Sequence, residues 1–215
     1  MKIPHHSIPR QVAFLFVLAI ILNLLHIALF GTSTLVYLLW NLFLALLPFV
    51  LSCVLLSNAE RGTLSTTWYY VGGIVWLLLF PNAPYIVTDL IHVGLGHGTQ
   101  VFYNSVLLFS TALAGFVLGV YSLAHMEKVF RLRYPKYNAN YFVIVCMLIA
   151  SFGICLGRFM RFNSWDIITH PFQVFSNIVS VFRAPNGYAH VYILTTAFFI
   201  LLFFTYYAWK PENHS

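Results

Sequence analysis

Phe80-Pro81-Asn82-Ala83-Pro84-Tyr85-Ile86-Val87-Thr88-Asp89-Leu90-Ile91-His92 comes after an apolar run and interrupts it. Neither Pro81 nor Pro84 carries a backbone N–H, so a helix arriving from Trp68 must kink or stop here. Asn82 can cap the next helical segment, and Pro84 fits in its first turn. Counted from Asn82, the residues Tyr85, Asp89 and His92 fall at i+3, i+7 and i+10, one face of a helix, while Ile86, Leu90 and Val93 fall mostly on others. A polar stripe with a carboxylate, at the end of an apolar span, marks a site. The stripe does not encode which ligand or reaction uses it.

The chain around it has 215 residues, 60% hydrophobic and 7% charged, where a soluble domain carries about 25% charged residues. Several apolar runs are long enough to cross a bilayer. The expected fold is therefore all-α: a polytopic membrane protein of six transmembrane helices with a short interfacial helix on the outer face. No soluble stretch is long enough for a second core, so residues 1–215 are expected to form a single membrane domain. The bilayer is the partner this composition requires. The formal charge of +6 reads as basic cytoplasmic loops and not as a nucleic-acid surface. Cys53, Cys146 and Cys155 sit in apolar runs without metal-ligand spacing and read as core residues.

Spans are expected at about 12–30, 34–56, 68–80 continuing past the Pro break to 93, 101–124, 141–156 and 188–209. The first has a basic start like a signal peptide, but its apolar region is too long and no small-x-small cleavage site comes after it, so it reads as retained. Asn23 and His26, three apart near its far end, suggest a hydrogen bond between helices. Tyr37 and Trp40 read as interface anchors of the second span. Gly94, Gly96 and Gly98 end the half-helix after the Pro break. Thr111, Gly115 and Gly119 form a small-xxx-small row in the fourth span, and Gly153 and Gly157 a second small pair in the fifth, each allowing a close neighbour. Residues 125–140 read as the most basic loop, with Lys128, Arg131, Arg133 and Lys136 against Glu127. Residues 172–183 are too short and polar to span, and read as an interfacial amphipathic helix.

Six spans place both termini on one side. That side holds Lys2, Arg10, Arg61, Lys128, Arg131, Arg133, Lys136 and Lys210, against Arg158, Arg161 and Arg183 on the other. The positive-inside rule then puts the termini in the cytoplasm. The segments after spans three and five face outward together. Asp89 and Asp166 are the only acids on that side, and His26, Asn41 and His190 add polar groups at similar depth. Ionisable groups at this depth usually face a cavity or one another.

The segment after span five reads Gly157-Arg158-Phe159-Met160-Arg161-Phe162-Asn163-Ser164-Trp165-Asp166-Ile167-Ile168-Thr169-His170-Pro171. Asn163 with Asp166 three residues later fits a capped helix start. Pro81-Asn82-Ala83-Pro84-Tyr85 with Thr88-Asp89-Leu90, then Gly157-Arg158-Phe159, Arg161 and Asn163-Ser164-Trp165-Asp166, resembles the bacterial family called domain of unknown function 1361. The resemblance covers almost the whole chain in length, span count and order of motifs. It implies an integral protein of the bacterial cell membrane, and it carries no activity with it.

Asp89 with His92, and Asp166 with His170, are carboxylate–imidazole pairs at helical spacing, able to act as acid and base or to serve zinc or manganese. The alternative is a structural network in which Asp89 pairs with Arg158 or Arg161 and Asp166 with its own helix start. Neither reading fixes a cofactor. Arg158 and Arg161, three apart, can present two planar forks to one phosphate or carboxylate. Asn82, Tyr85, Asn163 and Trp165 are the remaining candidate contacts, Trp165 reading as a belt residue before a stacking surface. Ser164 lies outside a Gly-x-Ser-x-Gly elbow, and no His-Glu-x-x-His, Cys-x-x-Cys or phosphate-binding loop occurs. The expected function is an outward-facing site that binds or processes an anionic lipid or lipid-linked substrate. The alternatives are a non-catalytic subunit whose polar cluster is structural, and a transporter or flippase. No acid lies at mid-membrane in any span, which disfavours a path through the protein.

Overall fold

A computed structural model describes residues 10–31, 35–160, 162 and 166–210. Among them are nine α-helices and no strand: α1 (Arg10–Phe30), α2 (Tyr37–Glu60), α3 (Thr66–Leu79), α4 (Asn82–Tyr85), α5 (Thr99–Arg133), α6 (Ala139–Met160), α7 (Asp166–Thr169), α8 (Pro171–Arg183) and α9 (Ala189–Trp209). Short 3-10 segments come after α4 (Ile86–His92) and before α9 (Pro185–Tyr188). Six helical stretches are long and apolar enough to cross a membrane, the third running from Thr66 to His92 through the break. The chain is a multi-pass helical membrane protein.

The break has its origin in hydrogen bonding. Ser65 caps α3 by accepting from the Trp68 N–H at 3.2 Å. The ladder proceeds to Phe80 N–H, which donates to Trp76 O at 2.8 Å. Pro81 and Pro84 then remove two donors. The Phe80 carbonyl is taken instead by Ala83 N–H at 3.1 Å, three residues on. That tighter spacing continues as the 3-10 segment Ile86–His92. Asn82 opens α4 as its first residue; the cap position is Pro81, and no side chain caps this helix, so the expected Asn82 cap does not form. Gly94 and Gly96, with φ of 101° and 100°, then turn the chain in a region open to glycine. Asn104 Nδ2 ties that turn to α5 by donating to Leu95 O at 2.7 Å.

The two small-residue rows receive this broken segment. A Cβ on Gly115 would lie 2.5 Å from Ile86 Cδ1 and 3.1 Å from the Ala83 carbonyl, and one on Gly119 would lie 3.2 Å from Ala83 Cβ. On the other flank a Cβ on Gly153 would lie 3.1 Å from Pro81 Cγ, and one on Gly157 3.4 Å from the Tyr85 ring. The segment Pro81–Ile86 is thus clamped between α5 and α6 wherever those helices carry no side chain.

The central helix is α5, most of which is buried. At about 1.5 Å per residue its 35 residues reach roughly 50 Å, past a hydrocarbon core of about 30 Å. The basic stretch after residue 124 is accordingly helical through Arg133, where the sequence suggested a loop. Met126 and Val129 face the core, three apart. Glu127 is 2% exposed. It accepts from Arg131 Nε at 2.9 Å, from Lys210 Nζ at 2.7 Å and from the Tyr206 hydroxyl. This fastens α5 to the end of α9, where Tyr206 is 1% exposed. Trp76 Nε1 donates to Ser122 Oγ at 2.8 Å, and Ser122 Oγ to Pro48 O at 3.0 Å, joining α3, α5 and α2.

Helix α8, Pro171–Arg183, covers the stretch 172–183 that the sequence marked as a short helix. Val174 and Val181 are buried against the bundle, while Phe172, Phe175 and Phe182 are exposed. Asn23 and His26 do not bond across helices among the described residues: Asn23 Nδ2 donates within α1 to Ala19 O at 3.0 Å, and the buried His26 Nε2 has no hydrogen-bond partner there.

Candidate functional site

The broken span places its polar stripe on the floor of a cavity of about 930 Å³. Helix α2 forms one wall, α6 the other, and Ile167, Val174 and Ile178 of α7 and α8 stand at the rim. Helix α2 packs chiefly on α5, and α6 chiefly on α9, which leaves a cleft between them. Asn82, Tyr85, Asp89 and His92 all line it. The tightening to a 3-10 helix keeps Asp89 and His92 aligned, because residues three apart eclipse in that helix.

Asp89 is 3% exposed. Its Oδ2 accepts from Asn41 Nδ2 of α2 at 2.8 Å, and its Oδ1 lies 3.9 Å from the Arg158 guanidinium of α6. The carboxylate thus bridges both walls of the cleft. The Arg158 contact is an ion pair beyond hydrogen-bond length, and among the described residues it is the only polar contact of that guanidinium. His92 meets the edge of the Tyr37 ring, centroids 5.9 Å apart. The Tyr37 hydroxyl is buried and has no hydrogen-bond partner among the described residues.

Each wall changes from apolar to polar in the same direction. Along α2, which begins at the polar end, the lining runs Tyr37, Trp40, Asn41, Leu44; along the broken span it runs from Leu77 and Leu78 to Asp89 and His92; along α6 it runs from Ile149 and Phe152 to Arg158. Nine residues separate Ile149 from Arg158, about 13 Å along a helix. The cavity is thus amphipathic along its length, with its ionisable groups gathered at one end.

The second motif divides. Arg158 lines the cavity; Arg161, Asn163 and Trp165 lie outside the described residues. Asp166 opens α7, and His170 Nδ1 lies 3.8 Å from its Oδ1, with the His170 side chain 63% exposed. Neither is among the residues lining the cavity. Among the described residues no three His, Cys, Asp or Glu side chains gather as a metal set, so the two carboxylate–imidazole pairs do not converge there. His190 packs its ring on Phe159, centroids 4.8 Å apart, and His26 lies among Phe30 and Tyr103; both are absent from the lining too.

Tyr37 and Trp40 are wall residues that the sequence presented as belt anchors. The signal that finds them is spacing: Tyr37, Asn41 and Leu44 recur at i, i+4 and i+7, one face of α2 with a polar residue at its middle.

No curated protein and no solved structure matches this chain. The family described as "Protein of unknown function (DUF1361)" matches residues 40–204, from the α2 wall through α9, and the chain belongs to that family.

Proposed function

We propose that the chain holds an anionic lipid or lipid-linked substrate in the outer half of a bacterial cell membrane, with both termini cytoplasmic. The observation that carries this reading is the guanidinium of Arg158, which lines an amphipathic cavity and, among the described residues, has one polar contact, 3.9 Å to Asp89. A guanidinium has five donors in a planar fork suited to phosphate or carboxylate. In sequence, Arg161 comes three residues on and offers a second fork. The apolar depth of the cleft takes the hydrocarbon chain, and the gap between α2 and α6 lets it arrive sideways from the leaflet. The orientation rests on the distribution of Lys and Arg, which puts the polar end of the cavity outward.

In this reading Asp89 and His92 are the groups placed to move a proton at the bound headgroup, and Asn41 holds the carboxylate in position. The Asp166–His170 pair is not among the lining residues and takes no part in this reading. Native mass spectrometry after gentle detergent extraction tests the reading. Wild-type protein retains an anionic lipid that Arg158→Gln loses; equal retention in both, or none in either, contradicts it.

The structural reading rests on a separate observation. Asp89 already has Asn41 and Arg158 as partners and is almost fully buried, which is what a charge-compensated brace between α2 and α6 requires. In that case Asp89→Asn lowers thermal stability and Arg158→Gln leaves lipid retention unchanged.

A further inference from the structure

We infer that the ligand's anionic group is a phosphate ester carrying a hydroxylated headgroup, a sugar or a glycerol unit, in preference to a bare phosphate or an amine. This rests on the anion-binding reading above and adds the chemistry of the group beside the anion.

Three observations lead there. First, the cavity's roughly 930 Å³ is comparable to a site for a whole organic ligand, about 300–1,000 Å³, and exceeds what one phosphate fills. Second, hydrogen-bonding side chains share the polar end with Arg158: Asn41, Tyr85 and His92. The Asn41 amide spends an N–H on Asp89 and keeps its carbonyl oxygen. Among the described residues the Tyr85 hydroxyl takes no hydrogen bond, and the Tyr85 ring lies against Gly157, where an added Cβ would stand 3.4 Å from Cε2. Amide and phenol groups both donate and accept, which matches hydroxyl groups, themselves donors and acceptors.

Third, a ligand cation finds little to bind. The one carboxylate in the lining, Asp89, already has Asn41 and Arg158 as partners. A cation would also stand beside the Arg158 charge. The indole of Trp40, 56% exposed, offers instead a flat apolar face of the kind that covers the C–H face of a polyol ring.

The test is a thermal-shift and native mass spectrometry series on the full chain in detergent, with lipids of matched chains. The probes are phosphatidylglycerol, a short-prenyl glycosyl phosphate, phosphatidic acid and phosphatidylethanolamine. One or both hydroxylated probes bind at least about fivefold tighter than phosphatidic acid, the worth of one or two hydrogen bonds; which of the two is tighter distinguishes a phospholipid from a lipid-linked sugar. Tyr85→Phe and Trp40→Ala each bring that advantage down toward unity while phosphatidic acid binding stays as it was. Tyr85→Phe keeps the ring that packs on Gly157, and Trp40 is exposed, so both variants test the idea without disturbing the core. Equal binding of phosphatidic acid and the hydroxylated probes overturns the inference but leaves the anion site standing. Preference for phosphatidylethanolamine overturns it in favour of a cation subsite. Binding of none of the probes removes the anion reading and this inference together.

Discussion

Asn41 Nδ2 donates to Asp89 Oδ2 at 2.8 Å across 48 residues of sequence, from the first turns of α2 to the 3-10 turn after the broken span. The bond gives a buried carboxylate its only hydrogen-bond donor among the described residues, because Arg158 stands at 3.9 Å. Asn41→Leu therefore leaves a buried acceptor without a donor, which costs about 1–3 kcal/mol and more when the acceptor is charged. Thermal unfolding in detergent checks this. Asn41→Asp, which sets a second carboxylate against the first, lowers the midpoint further than Asn41→Leu. An unchanged midpoint in both variants contradicts the role given to Asn41.

Gly115→Ala sets a methyl 2.5 Å from Ile86 Cδ1 and 3.1 Å from the Ala83 carbonyl. The Ile86 side chain can turn aside, but the carbonyl belongs to a backbone already clamped from the α6 side. Overpacking of this kind costs about 1–3 kcal/mol. Ile86→Val in the Gly115→Ala background restores part of it. Gly73→Ala serves as the control: nothing lies within 4 Å of its added Cβ, and it is neutral or stabilising by about 0.5–1 kcal/mol in a helix interior. Equal midpoints for Gly115→Ala and Gly73→Ala contradict the clamp.

Tyr206→Phe removes a hydroxyl that donates to the buried Glu127. Bonds to a charged acceptor contribute about 1.5–3 kcal/mol, so the midpoint falls. Glu127→Leu combined with Tyr206→Phe recovers part of the loss suffered by Glu127→Leu alone, because the partner left unpaired is most of that loss. Arg131 and Lys210, with side chains 48% and 27% exposed, can regain water on their own. A double variant no more stable than Glu127→Leu alone contradicts this pairing.

The spans and the position of the break were legible because length, hydropathy and two prolines act locally. The ion pair of Asp89 with Arg158 was legible as a charge that needed compensation near hydrocarbon. Partners were not. The rows at Gly115 and Gly153 announce close approach, and nothing in either row says that Ala83, Ile86 and Pro81 fill the space. Aromatic residues near a span end serve a belt or a cavity with the same composition, so Tyr37 and Trp40 read as anchors. Glu127 sits in a basic run that looks solvated, and only the burial of Met126, Val129 and Tyr206 around it makes the helix continue.

Orientation is testable by itself. In a background with the native cysteines replaced, cysteines at Gly96 and Asn186 label from outside intact cells, and one at Lys136 labels only after permeabilisation. The first two positions lie beyond the ends of the third span and α8, and the third lies just past α5. Labelling of position 136 from outside reverses the assignment and moves the polar end of the cavity to the cytoplasm.

Arg158 and Asp89 serve either a ligand or only each other, and one double variant separates the two. Asp89→Asn with Arg158→Gln removes both charges, so the thermal stability lost by Asp89→Asn alone returns. The decisive measurement is the lipid carried through purification by that double variant, quantified by mass spectrometry against wild type at equal stability. A ligand site predicts a stable protein that has lost its anionic lipid by about tenfold or more, the worth of one charge-assisted contact. A double variant as stable as wild type that keeps the same lipid in the same amount contradicts it, and leaves the cluster as a brace.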